Sequence, residues 1–350
     1  MAKLTASKKN WMLTFAGMTR RIALLLALLT MTKTAIANNL TAIPDPSSQN
    51  MQCISPQAFI NQFCKANHYN HADAEKIISD MVPQPKIIAS MTRPAEKLSW
   101  ARYRNIFITS KRVNAGQDFI EQNHAILKAA EKKYGVSYQI ITAILGVETF
   151  YGTQQGGYRV LDALGTLAFC YPPREHYFQE ELAQYFLLVR ENNLDPLSIT
   201  GSYAGAFGMP QFMPHSYRSY AVDYSNDHHA DLVNNLDDSV MSIGNYLSAN
   251  GWKHGQPIAV AVTRCNASCA KWANANPKAK LIQSAGSWEK AGVVLAHAVP
   301  KNLPAGLIAL TDTNGNIVGY WLVFQNFKSI MSYNSSVDYA MAVYQLSALY

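Results

Sequence analysis

The chain has 350 residues, 49% of them hydrophobic, and its 30 Lys and Arg against 23 Asp and Glu give a formal net charge of +7. Six of the basic residues and none of the acidic ones fall within residues 1–37, so the remainder holds 24 basic and 23 acidic residues. This near-neutral balance gives no electrostatic support to nucleic-acid binding. The length exceeds one typical core, so two or three subdomains are expected.

The first 37 residues have the composition of a secretory signal peptide. Basic residues, the last of them Arg20 and Arg21, precede an apolar run over 22–29, and Ala35-Ile-Ala37 offers small residues for cleavage. The run is too short to span a membrane, and no cysteine follows it closely. We therefore expect a soluble, exported protein without a lipid anchor.

Five cysteines accompany this export signal, and an oxidising compartment permits disulfides. The pairs closest in sequence are Cys53 with Cys64 and Cys265 with Cys269, and these are the disulfides we predict. Cys170 is left over, and we expect it to be a buried small hydrophobe rather than a nucleophile.

Helical patterns account for most of the chain before residue 251. Residues 38–55 have the composition of an extended lead-in, and Pro83, Pro85 and Pro94 predict a loop-rich passage. Apolar spacing, caps and stop signals predict helices from Ser55-Pro56, over 73–81, 114–134, 137–152 and 175–190, from Pro214, and over 237–250.

The pattern changes after Trp252, where strand-like runs cover 258–263, 307–310 and 317–324. Asn314-Gly315 is a hairpin turn signal, and Ser336 caps a final helix that reaches Tyr350. The predicted fold class is therefore α+β and predominantly helical, with a small β insert. Its predicted parts are an N-terminal helical region (38–100), a core (101–255), a small β-containing subdomain (256–330) and a C-terminal helix that packs back on the core (331–350).

One acid lies within the apolar stripe of the 137–152 helix. The residues three, four, seven and eight positions before Glu148 are Leu145, Ile144, Ile141 and Ile140. They share a helix face with Glu148, and burial and the negative helix end both penalise its carboxylate, so its pKa should exceed the usual value of about 4.3. A carboxylic acid that is protonated near neutral pH suits general-acid cleavage of a glycosidic bond. The alternative is a helix-end glutamate that faces solvent.

A second candidate segment, 201–217, has three glycines within eight residues and one polar handle, Gln211, among aromatic and methionine residues. Glycines allow tight turns and a close approach of the backbone to a ligand. This segment is therefore a candidate binding loop, and the alternative is a loop packed on the core.

Five segments follow one another in the order of a known family: Gly146–Gly152, Tyr158–Leu164, Tyr171–Arg174, Gly201–Tyr217 and Tyr333–Val343. They closely resemble lytic murein transglycosylases of the B type, which are periplasmic enzymes of Gram-negative bacteria. The resemblance runs from about residue 94 to the C-terminus, whereas 38–90 and 260–310 match loosely. It implies a lysozyme-like catalytic core with an EF-hand-like loop, and a periplasmic location.

The resemblance also implies roles for single residues. Glu148 would be the catalytic acid and base, the family's single catalytic carboxylate. Ser202 and Gln211 would bind the sugar near the scissile bond. The glycan or peptide cleft would be lined by Tyr103, Arg174, Tyr333, Asn334 and Tyr339. Pro173 stands where some members carry a second arginine, so one contact to the stem peptide or glycan differs here.

The reaction that the resemblance implies cleaves the β-1,4 bond between MurNAc and GlcNAc and leaves a 1,6-anhydro-MurNAc end, with no organic cofactor. The muramyl N-acetyl group stabilises the cation and the C6 hydroxyl closes the ring, while Glu148 first gives and then takes a proton. The implied partners are peptidoglycan glycan strands and proteins of cell-wall synthesis or remodelling, and the enzyme would be a monomer.

An acidic loop at 223–237 is a candidate calcium site. Asp223, Ser225 and Asp227 match the first three ligand positions of an EF-hand loop. The resemblance adds the carbonyl of His229 and, in an expanded loop, the carboxylate of Asp237. Two features depart from the pattern: His228 replaces the usual glycine and Asn234 occupies position twelve. A solvated acidic loop is the main alternative, and zinc held by His228 and His229 is a weaker one.

Two other functions stay open at the level of sequence. A lysozyme-type hydrolase would need a second carboxylate, and Asp162 is the nearest candidate, although it resembles the cap of the following helix. A catalytically silent peptidoglycan-binding protein would have little reason to keep a buried acid.

Overall fold

The computed structural model of the protein describes residues 51–92 and 98–350. The predicted signal peptide and residues 38–50 of the predicted lead-in lie outside the described residues. No helix among the described residues is long and apolar enough to cross a membrane. Residues 51–350 form one unit by their contacts, so the predicted boundaries at 100, 255 and 330 stay predictions.

The N-terminal region contributes three short helices, α1 (Gln57–Asn67), α2 (His71–Ser79) and α3 (Pro85–Met91). Asn70 caps α2 by accepting a hydrogen bond from the amide of Asp73 at 3.2 Å, so this helix begins two residues before the predicted start. The predicted loop-rich passage contains α3, because Pro85 occupies the first helical position, where its missing N–H costs nothing.

The predicted Cys53–Cys64 disulfide is wrong. Cys53 is bonded to Cys170, 117 residues away, and Cys64 is a buried free thiol. The amide of Ile54 donates to the carbonyl of Phe169 at 2.9 Å, which brings Cys53 beside Cys170, while Cys64 lies on the buried face of α1. Cys170 is thus buried but not free. The predicted Cys265–Cys269 pair is confirmed.

Eight helices form the central part of the molecule: α4 (Trp100–Phe107), α5 (Ser110–Gln122), α6 (His124–Tyr134), α7 (Tyr138–Thr149), α8 (Val160–Cys170), α9 (Glu175–Glu191), α10 (Pro214–Tyr220) and α11 (Leu236–Ala249). The single helix predicted over 114–134 is wrong. Asn123 leaves helical geometry at φ −120° and ψ 23° and ends α5, so the pattern continues in a second helix. Almost every residue of α7 and α8 is buried, which makes these two helices the centre of the core.

Two short strands, β1 (Tyr158–Arg159) and β2 (Thr200–Gly201), pair antiparallel beside the core. The larger antiparallel sheet follows α11 and contains β3 (Ala259–Arg264), β4 (Gln283–Ser284), β5 (Val294–Leu295), β6 (Pro304–Thr311) and β7 (Ile317–Val323), in the order β4-β6-β7-β3-β5. The predicted turn at Asn314-Gly315 joins β6 to β7, with Gly315 at φ 83°.

The larger sheet separates two apolar cores. One face carries Leu307 and Leu322 into a small core around Trp288, where α12 (Cys269–Asn274) and α13 (Ala285–Lys290) pack. The other face carries Ile308 and Val323 into the main core. The chain then returns through α14 (Gln325–Tyr333) and α15 (Val337–Ser347), and α15 packs against α7. The predicted α+β, mainly helical fold with a small β insert is confirmed.

Candidate active site

The end of α7 places Glu148 at the surface of the core. Phe150 and Tyr151 adopt left-handed conformations at φ 49° and 60°, and the amide of Tyr151 bonds back to the carbonyl of Leu145 at 3.0 Å. The guanidinium of Arg112 donates to the carbonyl of Gly146, which this early termination leaves without a helical partner. The helix therefore stops one residue after Glu148.

Glu148 is partly buried, and its carboxylate accepts a hydrogen bond from the Tyr339 hydroxyl at 2.6 Å. Burial raises the pKa of Glu148 from 4.5 to about 7, and the bond from Tyr339 opposes the rise because it stabilises the charged form. The predicted rise in pKa is confirmed. At neutral pH, protonated and ionised forms of this acid are therefore both present.

Aromatic side chains enclose the carboxylate on the side of α14 and α15. The rings of Tyr333 and Tyr339 stack at 6.4 Å, and the Tyr333 hydroxyl donates to the carbonyl of Pro210 at 2.6 Å. Tyr103 from α4 is 8% exposed and close enough to contribute to the raised pKa of Tyr339. Burial raises the pKa of both Tyr333 and Tyr339 well above 10, so both hydroxyls stay protonated donors.

Hydrogen bonds within the candidate binding loop and to its neighbours hold Gln211 in place. Gln211 adopts φ 52°, and its side-chain nitrogen Nε2 donates to the carbonyls of Gln155 at 3.0 Å and Gly208 at 2.9 Å. Both bonds fix the side chain to the backbone and leave its oxygen available to a ligand. The hydroxyl of Ser202 accepts from the amide of Ala206 at 3.1 Å, which tightens the start of the loop.

The remaining predicted cleft residues are nearer to solvent. Arg174 is exposed, and its guanidinium lies 4.3 Å above the ring of Tyr177. The side chain of Asn334 accepts from the amide of Ser336 at 3.1 Å, just before α15. Among the described contacts, none joins Ser202, Arg174 or Asn334 to Glu148. The structure thus brings Tyr339 into contact with the acid and stacks Tyr333 beside it.

Asp162 does not offer a second catalytic carboxylate. It lies inside α8 rather than at its cap, is 5% exposed, and bonds through both oxygens to Arg159 at 2.8 and 2.7 Å. One oxygen also accepts from the amide of Val82 at 2.8 Å. This carboxylate therefore holds the N-terminal region to α8 and cannot activate a water.

The first half of the acidic loop shares two features with an EF-hand loop. The carboxylate of Asp223 accepts from the amides of Asp227 and His228 at 3.3 and 3.0 Å. His228 adopts φ 82°, the conformation for which the EF-hand uses glycine. Asp237, however, is exposed in the first turn of α11. Within the described part of the chain, no three His, Cys, Asp or Glu side chains are grouped to hold a metal.

A buried carboxylate that the sequence analysis missed organises this loop instead. Asp238 is fully buried, and it accepts from the amides of Tyr224 at 2.9 Å, Ser225 at 3.2 Å and Asp231 at 2.9 Å. An acid directly after the candidate ligand Asp237 was the available signal, since both acids follow the α11 cap Asn235 and only Asp238 is buried.

The family is decided by comparison with known proteins. A family model described as Transglycosylase SLT domain matches residues 55–348. Membrane-bound lytic murein transglycosylase B of Escherichia coli (strain K12) is 36% identical over 300 residues, which are 83% of this chain and 81% of that protein. This chain belongs to the transglycosylase SLT domain family.

Solved structures support the same assignment. Soluble lytic transglycosylase SltB1 from Pseudomonas aeruginosa superposes with a TM-score of 0.77 at 37% identity, over 83% of this chain and 96% of that one. Escherichia coli Slt35 in complex with calcium gives 0.74 at 34%, over 87% and 97%. Pseudomonas aeruginosa SltB3 in complex with NAG-anhNAM-pentapeptide gives 0.69 at 27%, over 83% and 77%. The predicted resemblance, the lysozyme-like fold and the enzyme class of this transglycosylase are confirmed.

Proposed function

We propose that this transglycosylase cleaves the β-1,4 bond between MurNAc and GlcNAc in peptidoglycan and leaves a 1,6-anhydro-MurNAc end, with Glu148 as the single acid and base. The observation that carries the proposal is the Glu148 carboxyl at the end of α7, whose pKa burial raises to about 7 and whose oxygen accepts a hydrogen bond from Tyr339. An acid with this pKa can both donate and accept a proton near neutral pH.

The catalytic cycle follows from that pKa. The protonated carboxyl of Glu148 donates to the glycosidic oxygen as the bond to the muramyl C1 breaks. The ionised carboxylate then accepts the proton of the muramyl C6 hydroxyl as its oxygen bonds to C1 and closes the anhydro ring. Tyr339 stabilises the carboxylate between the two steps, because it donates its hydrogen bond to the charged form. The cycle returns Glu148 to its starting protonation state.

Binding of the sugar is assigned to the loop beside α7 and to the tyrosines. The fixed amide of Gln211 and the hydroxyl of Ser202 would hold the muramyl residue, with Tyr103 and Tyr333 packing beside the sugars. Arg174 and Asn334 would contact the glycan or stem peptide farther from the scissile bond. Support comes from the contact of Tyr339 with Glu148, from the stacking of Tyr333 on Tyr339, and from SltB3, which was solved with NAG-anhNAM-pentapeptide.

A lysozyme-type hydrolysis finds less support. It would need a second carboxylate to activate water or act as a nucleophile, and Asp162 is bonded to Arg159 and to the backbone of Val82. Family membership also favours the transglycosylase over a silent binding protein.

We further propose a structural calcium ion in the acidic loop, held by Asp223, Ser225, Asp227, the carbonyl of His229 and Asp237. The EF-hand-like conformation around Asp223 and His228 fits calcium, and the related Slt35 was solved in complex with calcium. The ion would bind the loop and stabilise the fold. Export to the periplasm is likewise a proposal that rests on the signal-like residues 1–37.

Replacement of Glu148 by glutamine tests the proposed role of this residue. Gln keeps the shape of Glu but transfers no proton, so turnover on purified peptidoglycan should fall by about 10²–10⁴-fold while glycan binding persists. The control is Glu121→Gln, a change of an exposed glutamate on α5. Glu148→Gln with more than roughly a tenth of parental activity would transfer the catalytic role to another residue.

A further inference from the structure

Thr149 follows the proposed catalytic acid and is completely buried. Its hydroxyl donates to the carbonyl of Met209 at 2.9 Å and accepts from the amide of Gly152 at 2.9 Å. The carbonyl of Leu145 in the preceding turn is farther away, at 3.4 Å. The shorter hydrogen bond donated by the threonine hydroxyl is therefore to a residue outside its own helix.

Met209 is fixed from its other side as well. Its amide donates to the carbonyl of Leu232 at 2.7 Å. A Cβ added at neighbouring Gly208 would lie 2.6 Å from that carbonyl oxygen, so the two segments are in close backbone contact. A Cβ added at Gly152 would lie 3.2 Å from the sulfur of Met209, so these two residues are also close. Both polar groups of the Met209 backbone are thus engaged, one with Leu232 and one with Thr149.

The bond from Thr149 is the one described side-chain hydrogen bond that joins α7 to the 201–217 segment. Gln211 lies two residues after Met209 and adopts a left-handed conformation. Its side-chain amide is bonded to the carbonyls of Gly208 and Gln155. The position of Gln211 relative to Glu148 therefore depends in part on how the segment is attached to the end of α7, and Thr149 makes the direct bond between the two. The bonds of Gln211 to Gln155 and of Tyr333 to Pro210 hold the same segment from other sides.

We propose that Thr149 is a positioning residue that sets the distance between the acid Glu148 and the sugar-binding amide of Gln211. This inference rests on the proposed function and extends it to a residue that does not touch the substrate. A displacement of about 1 Å between a catalytic group and its substrate can cost roughly 10²-fold in rate, so a buried bond at this point matters for turnover.

Thr149→Val is the direct test, since valine has the same shape and lacks the hydroxyl. The change leaves the carbonyl of Met209 and the amide of Gly152 without their partner, so the loop is expected to move. We expect kcat on soluble glycan chains to fall about 10- to 100-fold, with KM changed less than threefold. Thr149→Ser keeps the hydroxyl and is expected to retain at least a third of parental kcat.

A double-mutant cycle with Gln211→Ala separates positioning from general stability. If Thr149 acts through Gln211, Thr149→Val costs much less once Gln211 is gone. If the full loss of kcat persists in the Gln211→Ala background, the proposal is wrong. If Gln211→Ala alone leaves kcat unchanged, both the role of Gln211 and the action of Thr149 through it fail.

Other outcomes are equally decisive. Thr149→Val with more than half of parental kcat, or Thr149→Ser as slow as Thr149→Val, would overturn the proposal. Should Thr149→Val not fold, as judged by its melting curve, the same comparison is made between Thr149→Ala and Thr149→Ser, which differ only in the hydroxyl. Failure of the proposed function itself would appear separately, as an active Glu148→Gln variant.

Discussion

Two opposing influences act on the Glu148 carboxyl. Burial favours the protonated acid, while the hydrogen bond from Tyr339 favours the carboxylate. Their balance leaves the pKa at about 7, so the acid form dominates below that pH and the base form above it. The proposed first step needs the protonated form, and kcat/KM should therefore decline as the pH rises through about 7.

Tyr339→Phe tests this balance. The variant loses the one hydrogen bond that lowers the pKa of Glu148, so the alkaline limb of the kcat/KM profile should move to higher pH, even if the maximal rate falls. The control is Tyr333→Phe, because the Tyr333 hydroxyl donates to the carbonyl of Pro210 instead. An alkaline limb that stays in place in Tyr339→Phe, or moves to lower pH, would contradict the assigned origin of the pKa.

At this scale, sequence periodicity could identify Glu148 but not its surroundings. The spacing of four apolar residues on one helix face was enough to predict a buried acid with a raised pKa. Its partner Tyr339 lies 191 residues away, and local patterns carry no information about which distant side chain meets it. The resemblance supplied Tyr339 as a cleft residue, and the bond to Glu148 required the fold.

Among the elements, the junction between residues 51–55 and α8 depends on the Cys53–Cys170 disulfide. Sequence separation alone favoured the nearer Cys64, but α1 turns Cys64 into the core while Ile54 bonds to Phe169. Proximity in sequence was a poor guide because the direction of a helical side chain is set by its helix face, and Cys64 lies on the buried face of α1. The break at Asn123 was missed for a related reason, since the apolar pattern continues across it.

Peptide mapping under non-reducing conditions checks this junction. We expect one linked pair of peptides that contains Cys53 and Cys170, with Cys64 modified by alkylating reagents only after unfolding. Cys53→Ser and Cys170→Ser should each lower the free energy of unfolding by about 2–5 kcal/mol, and the double variant should lose no more than either one. A peptide that links Cys53 to Cys64 would refute the assignment.

The acidic loop before α11 makes a second test possible at this scale. If calcium binds there, mass action predicts a melting temperature that rises with calcium concentration after treatment with a chelator. Asp223→Asn should weaken that response, because it removes a ligand charge from the first position of the loop. Asp118→Asn, a change of an exposed aspartate on α5, is the matched control. An unchanged melting temperature at millimolar calcium would exclude the site.

For the whole molecule, composition and pattern were sufficient for the α+β class, the hairpin at Asn314-Gly315 and the helical core. They could not show that residues 51–350 form one unit, because the contacts that join the parts, such as Val82 to Asp162, link residues far apart in sequence. Asp162 is an example of a residue whose role depends on such distant contacts. Its sequence position suggested a helix cap or a second catalytic acid, whereas the fold uses it to join two regions.

In the proposed reaction of the whole molecule, the nucleophile comes from the substrate. The muramyl C6 hydroxyl is intramolecular, and a well-oriented intramolecular group can act at an effective molarity of roughly 10⁵ M or more. Asp162, the nearest candidate in sequence for a second catalytic carboxylate, is bonded to Arg159 and to the amide of Val82 instead. Attack by the substrate's own hydroxyl is therefore favoured over attack by solvent.

Digestion of purified peptidoglycan in ¹⁸O-labelled water distinguishes the two nucleophiles. We expect 1,6-anhydro-muramyl fragments that carry no label, because both oxygens at the new ring come from the substrate. Digestion of the same material by a hydrolytic lysozyme serves as the control, since hydrolysis introduces one labelled oxygen at each new end. Labelled reducing ends in most fragments released by this protein would instead show attack by water and make the enzyme a hydrolase.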